Sequence, residues 1–517
     1  MRFRESPFFP NTMDNIGYLF IYRILSFFIF PFLYIRYDGL DINKMLIFQF
    51  CLEAIFFFAS SGTSFLTYLL LLKSDKKKEK KFIYTSMKFS FIMLCIITIS
   101  LAILSIIIFQ PSFIQKLFPY LSSNESMNEM QQVFQYLSIF LLCIPFVYYS
   151  HSISLATKKR GFNFLLQTVG FIIILSITTF RVFSNQITML DYIKHILIIS
   201  IIVSVGIIGI EIYVNRLYWK GFLHYFNKKA IYPFKQYLSF FMQYCFVTLS
   251  IYFILILFRG IDLFLPQHFL QISLDTVSII NELAFVNGLC WNFLSIIYLL
   301  TFSSFQHVHL KESYKDSRMR LLIERYDSRF SYFLFGILGL FIFQAKSILN
   351  LLLKSSLEME VANFQLACIW IGLFAFLLFI CKQLILMNKE KSVIVYLIIG
   401  CFVKGITLFY FAKKFPHICV SLSNIVSLMI IIFLSFARIS NEIEFPYLQF
   451  SKKIFKIVLA TLCMNGIIAP LRTFVLPLCD TFLLQIVFVC VTSILSIIVY
   501  YMITHSLHVQ NGVRLRK

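Results

Sequence analysis

Four charged side chains lie deep within long apolar stretches of this sequence. Arg23 and Glu53 belong to the first two apolar runs of the chain, and Lys346 and Lys404 belong to runs in its second half. A charged residue inside a membrane-spanning helix is costly, and it usually faces a partner or a water-filled pathway for ions or substrates. These four residues are therefore the first candidates for a substrate-binding site.

Arg23 and Glu53 are predicted to lie on consecutive, antiparallel helices, so their side chains could meet. In a functional interpretation, Arg23 binds an anionic head group and Glu53 orients it or gates its access. In a structural interpretation, the two residues form an ion pair that locks two helices together. The sequence leaves both interpretations open.

Lys346 and Lys404 have no obvious acidic neighbour at the same depth. Two such cations would be expensive in lipid, which favours a water-filled cavity between the two halves of the protein. A cationic cavity suits a phosphate or pyrophosphate group. The alternative for Lys404 is that its ammonium extends to the membrane surface. The cytoplasmic end of its helix is roughly 15 Å away, however, so we favour the cavity.

Five further charged residues are predicted at the outer ends of spans, where they could form an outward gate. They match each other across a proposed internal repeat: Arg36 and Asp38 after the first span, Arg259 and Asp262 at the end of the seventh, and Glu282 near the start of the eighth. The alternative is ordinary charge at a membrane interface, which needs no functional explanation.

The composition is that of a membrane protein. Of 517 residues, 59% are hydrophobic and only 14% are charged, whereas soluble domains average about 25% charged residues. A net charge of +22 would suggest nucleic-acid binding in a soluble protein,. Here the basic residues cluster between apolar runs, so we expect contact with a lipid bilayer and not with nucleic acid.

The apolar runs predict about fourteen transmembrane helices, because each run is close to the ~20 residues that a span needs. The runs are 16–35, 45–72, 88–109, 133–154, 161–180, 195–215, 237–258, 278–305, 330–353, 362–387, 392–412, 416–437, 454–475 and 481–504. The first is long enough to be a span and not a cleaved signal peptide. With both termini in the cytoplasm, most of the 46 Lys and Arg residues fall on the cytoplasmic side,.

The connections between spans suggest an internal repeat. Long basic segments at 73–81 and 311–320 join spans two to three and eight to nine, and short basic turns at 158–160 and 388–391 join spans four to five and ten to eleven. The members of each pair are six spans apart, which predicts two parallel six-helix halves. We expect the halves at 1–235 and 236–440, with two extra transmembrane helices and a cytoplasmic tail at 441–517.

Other chemistries are disfavoured. The twelve cysteines and nine histidines form no metal-ligand spacing, and no nucleotide-binding glycine loop is present, so no metal, cofactor or catalytic residue is predicted,. An N-glycosylation sequon begins at Asn124, on the predicted non-cytoplasmic side,.

Two segments near the N-terminus carry a family resemblance. The stretch 22–28 (YRILSFF) and the turn 36–39 (RYDG) resemble the first helix and following turn of the multidrug/oligosaccharidyl-lipid/polysaccharide (MOP) exporter superfamily. Within it, the stretches 52–55 (LEAI) and 387–391 (MNKEK) are similar to the Rft family of the eukaryotic endoplasmic reticulum. Aromatic residues follow the acid at 53, where that family has flanking basic residues.

The resemblance implies a flippase-like translocator of a dolichol-diphosphate-linked oligosaccharide that supports N-glycosylation in the endoplasmic reticulum membrane; the plasma or inner membrane is the alternative location. A cation-coupled multidrug exporter of the same fold is a second hypothesis. Such an exporter would need an unpaired carboxylate in its cavity to bind cations. A membrane glycosyltransferase is a third, although the predicted outer loop after the first span is short for an active site. We therefore predict a transporter and not an enzyme.

Overall fold

The computed structural model describes residues 188–214, 216–226, 317–353, 358–386, 389–442, 447–475 and 482–507, together with scattered helical residues between 45 and 180 and between 250 and 266. All regular structure in these residues is helical.

The chain divides into two compact units. The first contains the helices α1 (Met189–Val214) and α2 (Arg216–Phe226). The second contains α3 (Ser317–Leu353), α4 (Glu358–Leu386), α5 (Glu390–Lys414), α6 (Cys419–Glu442), α7 (Tyr447–Val475) and α8 (Phe482–Ser506), with a short 3₁₀ turn, Pro416–Ile418, before α6.

Six of the described helices are long and apolar enough to cross a membrane, namely α1, α4, α5, α6, α7 and α8. A shorter apolar stretch, Leu334–Asn350, lies within α3. Each of the seven coincides with a run predicted from the sequence. The prediction of an all-helical, polytopic membrane protein is therefore confirmed.

The predicted ends are less accurate than the predicted spans. α3 begins at Ser317, well before the expected start at 330, because the basic segment ahead of the span continues the helix. Lys, Arg and Glu are good helix formers, and nothing requires a helix to stop where the membrane begins. The segment between the predicted runs 195–215 and 237–258 contains the helix α2. Its mixture of aromatic and basic residues is typical of a membrane interface.

A side-chain cap fixes the start of α1. The Thr188 hydroxyl accepts a hydrogen bond from the Asp191 amide at 3.2 Å, and it donates one to the Asp191 carboxylate at 2.9 Å. A threonine in this position satisfies one of the amide groups that have no partner within the first helical turn. Asp191 also lies 3.5 Å from the Lys194 ammonium.

Two glycines of α3 allow neighbouring helices to approach closely. A Cβ atom on Gly336 would lie 2.8 Å from the Tyr500 ring of α8, and one on Gly339 would collide with the Thr461 methyl group of α7. Small residues at such contacts let helices pack without the help of water exclusion between them. α7 and α8 therefore both pack closely against α3.

The buried face of α6 is unusually polar. It includes Ser421, Ser423, Asn424, Ser427 and Ser435, all nearly inaccessible. The Ser421 hydroxyl donates a 2.7 Å hydrogen bond to the side-chain oxygen of Asn363 on α4. Such bonds hold helices in register where water is absent.

At the opposite end of α6, Glu442 lies 2.9 Å from Lys389, which precedes α5, and 3.0 Å from Arg438. These ion pairs tie the turn between α4 and α5 to the end of α6. The pairs are partly exposed and contribute little to stability.

Candidate substrate-binding site

Five of the predicted site residues lie outside the described part of the chain. They are Arg23 and Glu53 of the predicted cavity and Arg36, Asp38 and Glu282 of the predicted gate. Their roles stay predictions.

Two predicted gate residues, Arg259 and Asp262, lie in helical segments of the first unit. They are three residues apart, so they share one helix face. The Asp262 side chain is only 4% exposed. A buried carboxylate differs from the exposed charge expected at an ordinary membrane interface, because burial demands a compensating environment.

Lys404 lies in the interior of the second unit. It is fully buried and belongs to the stripe of α5 that includes Gly400 and Leu408 and packs against α6. Because the turn before α6 reverses the chain, Lys404 is at about the level of Ser427 and Leu428 on α6. Its ammonium therefore lies within the helix bundle and not at a surface that a substrate can reach directly.

Lys346 is in the opposite situation. Its side chain is exposed although it lies in the apolar part of α3, about 10 Å from the helix end at Leu353. On the α3 surface it lies between Ile342 and Phe343, at positions four and three residues earlier. α4 contacts the first of these and α7 contacts the second. Lys346 thus lies on the surface of α3 between the points that α4 and α7 contact.

A second cation, Arg472, lies near the end of the predicted run 454–475 and was not among the predicted site residues. The structure places it inside α7, three residues before the end of the helix. Its guanidinium donates a 2.8 Å hydrogen bond to the carbonyl oxygen of Phe343 on α3. Because Phe343 is three residues before Lys346, Arg472 contacts α3 about one helical turn before the Lys346 backbone,.

The amide of Gln365 on α4 donates a 3.0 Å hydrogen bond to the Ile342 carbonyl oxygen. Side chains from α4 and α7 therefore hold two successive peptide groups of α3 just before Lys346. Polar residues within apolar helices were the signal that could have identified Arg472 and Gln365, since the sequence search considered charged residues deep in the runs alone.

A hydrogen-bond network fixes another face of α3. The amide nitrogen of Gln344 donates to the Thr492 hydroxyl at 3.0 Å, and its oxygen accepts from the Ser493 hydroxyl at 3.2 Å. Further along, the Tyr500 hydroxyl donates to the Tyr332 carbonyl oxygen at 2.7 Å. These contacts bind α8 to α3 and leave the Lys346 side of the helix to α4 and α7.

Carboxylates are absent from the apolar helical segments of the second unit that the structure describes. No Asp or Glu occurs in 331–353, 361–386, 391–414, 416–441, 447–475 or 482–506. Among the described residues, neither Lys346 nor Arg472 forms an ion pair. Such a set of side chains attracts anions and has little to offer a metal ion or a cationic substrate.

Solved structures share this architecture. The lipid II flippase MurJ, in an inward closed conformation, matches with a TM-score of 0.55 and 17% identity over 95% of this chain and 98% of that one. The eukaryotic MATE transporter AtDTX14 matches with a TM-score of 0.58 and 13% identity over 84% and 94%. An inward-facing multidrug resistance MATE family transporter of the MOP superfamily matches with a TM-score of 0.53 and 10% identity over 83% and 95%.

The fold is that of MOP-superfamily transporters. The resemblance read from the sequence agrees with this fold, since both MurJ and the MATE proteins belong to the superfamily. No family model and no curated protein matches the sequence. The finer resemblance to the Rft family stays a prediction.

Proposed function

We propose that this protein translocates a polyprenyl-linked glycan with a phosphate-bearing head group across a membrane. The observation that carries the proposal is the combination of a MOP transporter fold with cations, and no carboxylates, in the described apolar helices of the second unit. The match with a lipid flippase over nearly the whole of both chains supports a lipid-linked substrate.

The argument for an anionic head group is energetic. A charged side chain near the bilayer centre costs at least ~2.5–3.5 kcal/mol, so an exposed lysine in an apolar helix requires water or an anion nearby. Lys346 meets this description. A phosphate group can accept several charge-assisted hydrogen bonds at once, which makes it a suitable ligand for lysine and arginine.

Lys404 would act differently from Lys346. Because it is enclosed between α5 and its neighbours, its ammonium would meet a substrate only when these helices move apart. Transporters of this kind expose and enclose their sites alternately. We therefore propose that Lys404 contacts the substrate only in a conformation of the protein in which α5 has moved away from its neighbours.

The proposed substrate within this class is a dolichol-diphosphate-linked oligosaccharide, and the proposed location is the endoplasmic reticulum. The stretches 52–55 and 387–391, which are similar to the Rft family, support this choice. The sequon at Asn124 on the predicted non-cytoplasmic side agrees with it.

Lipid-linked oligosaccharide analysis in cells that lack the protein tests the proposal. We expect a lipid-linked intermediate to accumulate, N-glycans to be depleted, and both changes to be reversed by the wild-type chain. A Lys346→Met chain should restore less than a Lys413→Met chain, which loses an exposed lysine at the end of α5. A normal intermediate profile in cells without the protein would contradict the dolichol-linked substrate.

A cation-coupled multidrug exporter is the second candidate, and the likeness to MATE transporters favours it. Such an exporter would need a carboxylate to bind cations within the membrane, and the described helices of the second unit have none in their apolar segments. Efflux of cationic dyes that depends on this protein and is insensitive to Lys346→Met would favour the exporter over the flippase.

A further inference from the structure

We propose that Lys346 and Arg472 together form a subsite for the diphosphate group of the substrate, with α3 and α7 each contributing one cation. This inference rests on the proposed function and extends it. It assigns a binding role to α7, which the sequence placed outside the six-plus-six repeat.

The geometry brings the two charges to one place. Arg472 reaches from α7 to the Phe343 carbonyl oxygen, 2.8 Å away, and Lys346 follows one turn later on the adjacent part of the α3 surface. Residues three apart on a helix are neighbours on its surface. Lys346 therefore stands on α3 beside the part of the helix surface that Arg472 contacts, which is the basis for assigning both side chains to one subsite.

Both side chains keep hydrogen-bond donors for a ligand. A guanidinium has five N–H donors, and the described contact uses one of them, at Nη1 of Arg472,. A lysine ammonium has three donors. Arginine presents a planar fork that matches two phosphate oxygens, and lysine acts as a point charge, so the pair suits two linked phosphates.

The electrostatics favour an anion. Two cations on neighbouring parts of one helix surface repel each other, and the repulsion grows where water is scarce. The apolar segments of α3 and α7, residues 331–353 and 447–475, contain no carboxylate to offset it. An anionic ligand shared by both residues removes this penalty.

The surrounding contacts hold the subsite in place. Gln365 binds the Ile342 carbonyl oxygen from α4, and Gln344 joins α3 to α8 on another face. The part of α3 just before Lys346 is thus held by α4, α7 and α8. A binding group on a braced helix is positioned better than one on a mobile loop, which favours affinity.

Two sources can supply the phosphate: a polyprenyl diphosphate or an ordinary anionic phospholipid from the bilayer. The test uses the full-length chain purified in detergent and measures equilibrium binding of farnesyl diphosphate, farnesyl monophosphate and short-chain phosphatidylglycerol. The variants are Lys346→Met, Arg472→Met, Arg472→Lys and the double methionine variant. Lys413→Met is the matched control, since its lysine is exposed and stacks on Phe409 of its own helix.

We expect each methionine variant to bind farnesyl diphosphate about tenfold or more weakly, because each removes a charge-assisted contact. Each should also lose the preference for diphosphate over monophosphate. The affinity of the double variant should fall by less than the product of the two single reductions, because the residues share one ligand. Arg472→Lys keeps the charge without the planar guanidinium, so its affinity should lie between those of the wild type and Arg472→Met. Lys413→Met should match wild type.

A changed preference between the ligands shows a specific effect on binding. A variant that is merely unstable would bind all three ligands more weakly. Lys346→Met keeps the test valid even if Arg472→Met misfolds, since Lys346 makes no described hydrogen bond or ion pair. If the variants bind phosphatidylglycerol more weakly but still bind farnesyl diphosphate normally, the two residues hold a bilayer lipid and the subsite proposal is wrong. If the wild-type chain binds no polyprenyl diphosphate, the proposed function itself fails.

Discussion

The Arg472 guanidinium of α7 donates a hydrogen bond to the Phe343 carbonyl oxygen of α3 at 2.8 Å. This contact joins α7 to the helix that carries Lys346, one turn before that lysine. It makes α7 part of the candidate site and not a peripheral addition. The predictions below test the packing that supports the site, the charges within it and the orientation of the chain.

The close contact between α3 and α7 should depend on glycine at position 339. In Gly339→Val the added side chain meets Thr461, and overpacking of this kind typically costs about 1–3 kcal/mol,. Thermal unfolding of the purified protein in detergent measures the change. Gly466→Ala is the control, because a Cβ there meets nothing within 4 Å and alanine favours the helix,. Equal melting temperatures for the two variants would contradict the described packing.

The Gln344 network should contribute modestly to stability. Gln344→Leu removes both interhelical hydrogen bonds, but the Thr492 and Ser493 hydroxyls keep bonds to the Phe488 and Val489 carbonyl oxygens of their own helix. Such bonds in membrane proteins average about 0.6 kcal/mol, so we expect a loss of about 1 kcal/mol. Denaturant titration in mixed micelles would measure it.

Ser506→Ala serves as the comparison for Gln344→Leu. Its hydroxyl bonds the Met502 carbonyl oxygen within α8 at an exposed position, so its removal should have little effect. A Gln344→Leu protein as stable as Ser506→Ala would show that the network does not hold α8 to α3.

Lys404→Met should leave the protein folded and inserted while reducing transport. Methionine fills much of the space of the lysine stem, and the change removes a buried charge rather than creating one,. Size-exclusion profile and expression report folding, and a translocation assay reports function. Lys413→Met again supplies the control. A Lys404→Met protein with normal transport would make this residue structural.

The two ends of α5 should lie on opposite sides of the membrane. We expect a cysteine placed at Lys389 to react from the cytoplasm and one placed at His417 to react from the other side, because basic residues favour the cytoplasmic face. The labelling requires a background without native cysteines, since Cys463 and Cys490 are exposed. Labelling of both sites from one side would contradict the span assignment, and reversed labelling would contradict the orientation.

The sequence predicted the spans in the described part of the chain well, because hydropathy and length dominate membrane insertion. The seven apolar runs from 195–215 and from 330–353 onward all appear as helices in the structure. Helix starts such as Ser317 were missed, because nothing in a basic segment tells a loop from a continuing helix. The resemblance seen in the short stretches at 22–28 and 36–39 led to the same fold that the solved structures share with this chain.

The candidate site was harder to predict because it depends on which helices are neighbours. Lys346 and Lys404 look alike in sequence, yet one is exposed and the other is fully buried. Arg472 lies only three residues from the end of α7, so its depth gave no reason to select it. Its link to Phe343, more than a hundred residues away, follows from the packing of α7 on α3, which no local pattern encodes.

Translocation in reconstituted vesicles tests the central claim most directly. The full-length chain is placed in liposomes with a labelled polyprenyl-diphosphate-linked glycan, and the label is quenched from outside by an impermeant reagent. We predict that wild-type protein exposes the inner pool to the quencher within the assay, and that Lys346→Met slows this exposure while Lys413→Met does not. If wild-type vesicles protect the inner pool as well as protein-free vesicles do, the protein does not translocate this class of lipid.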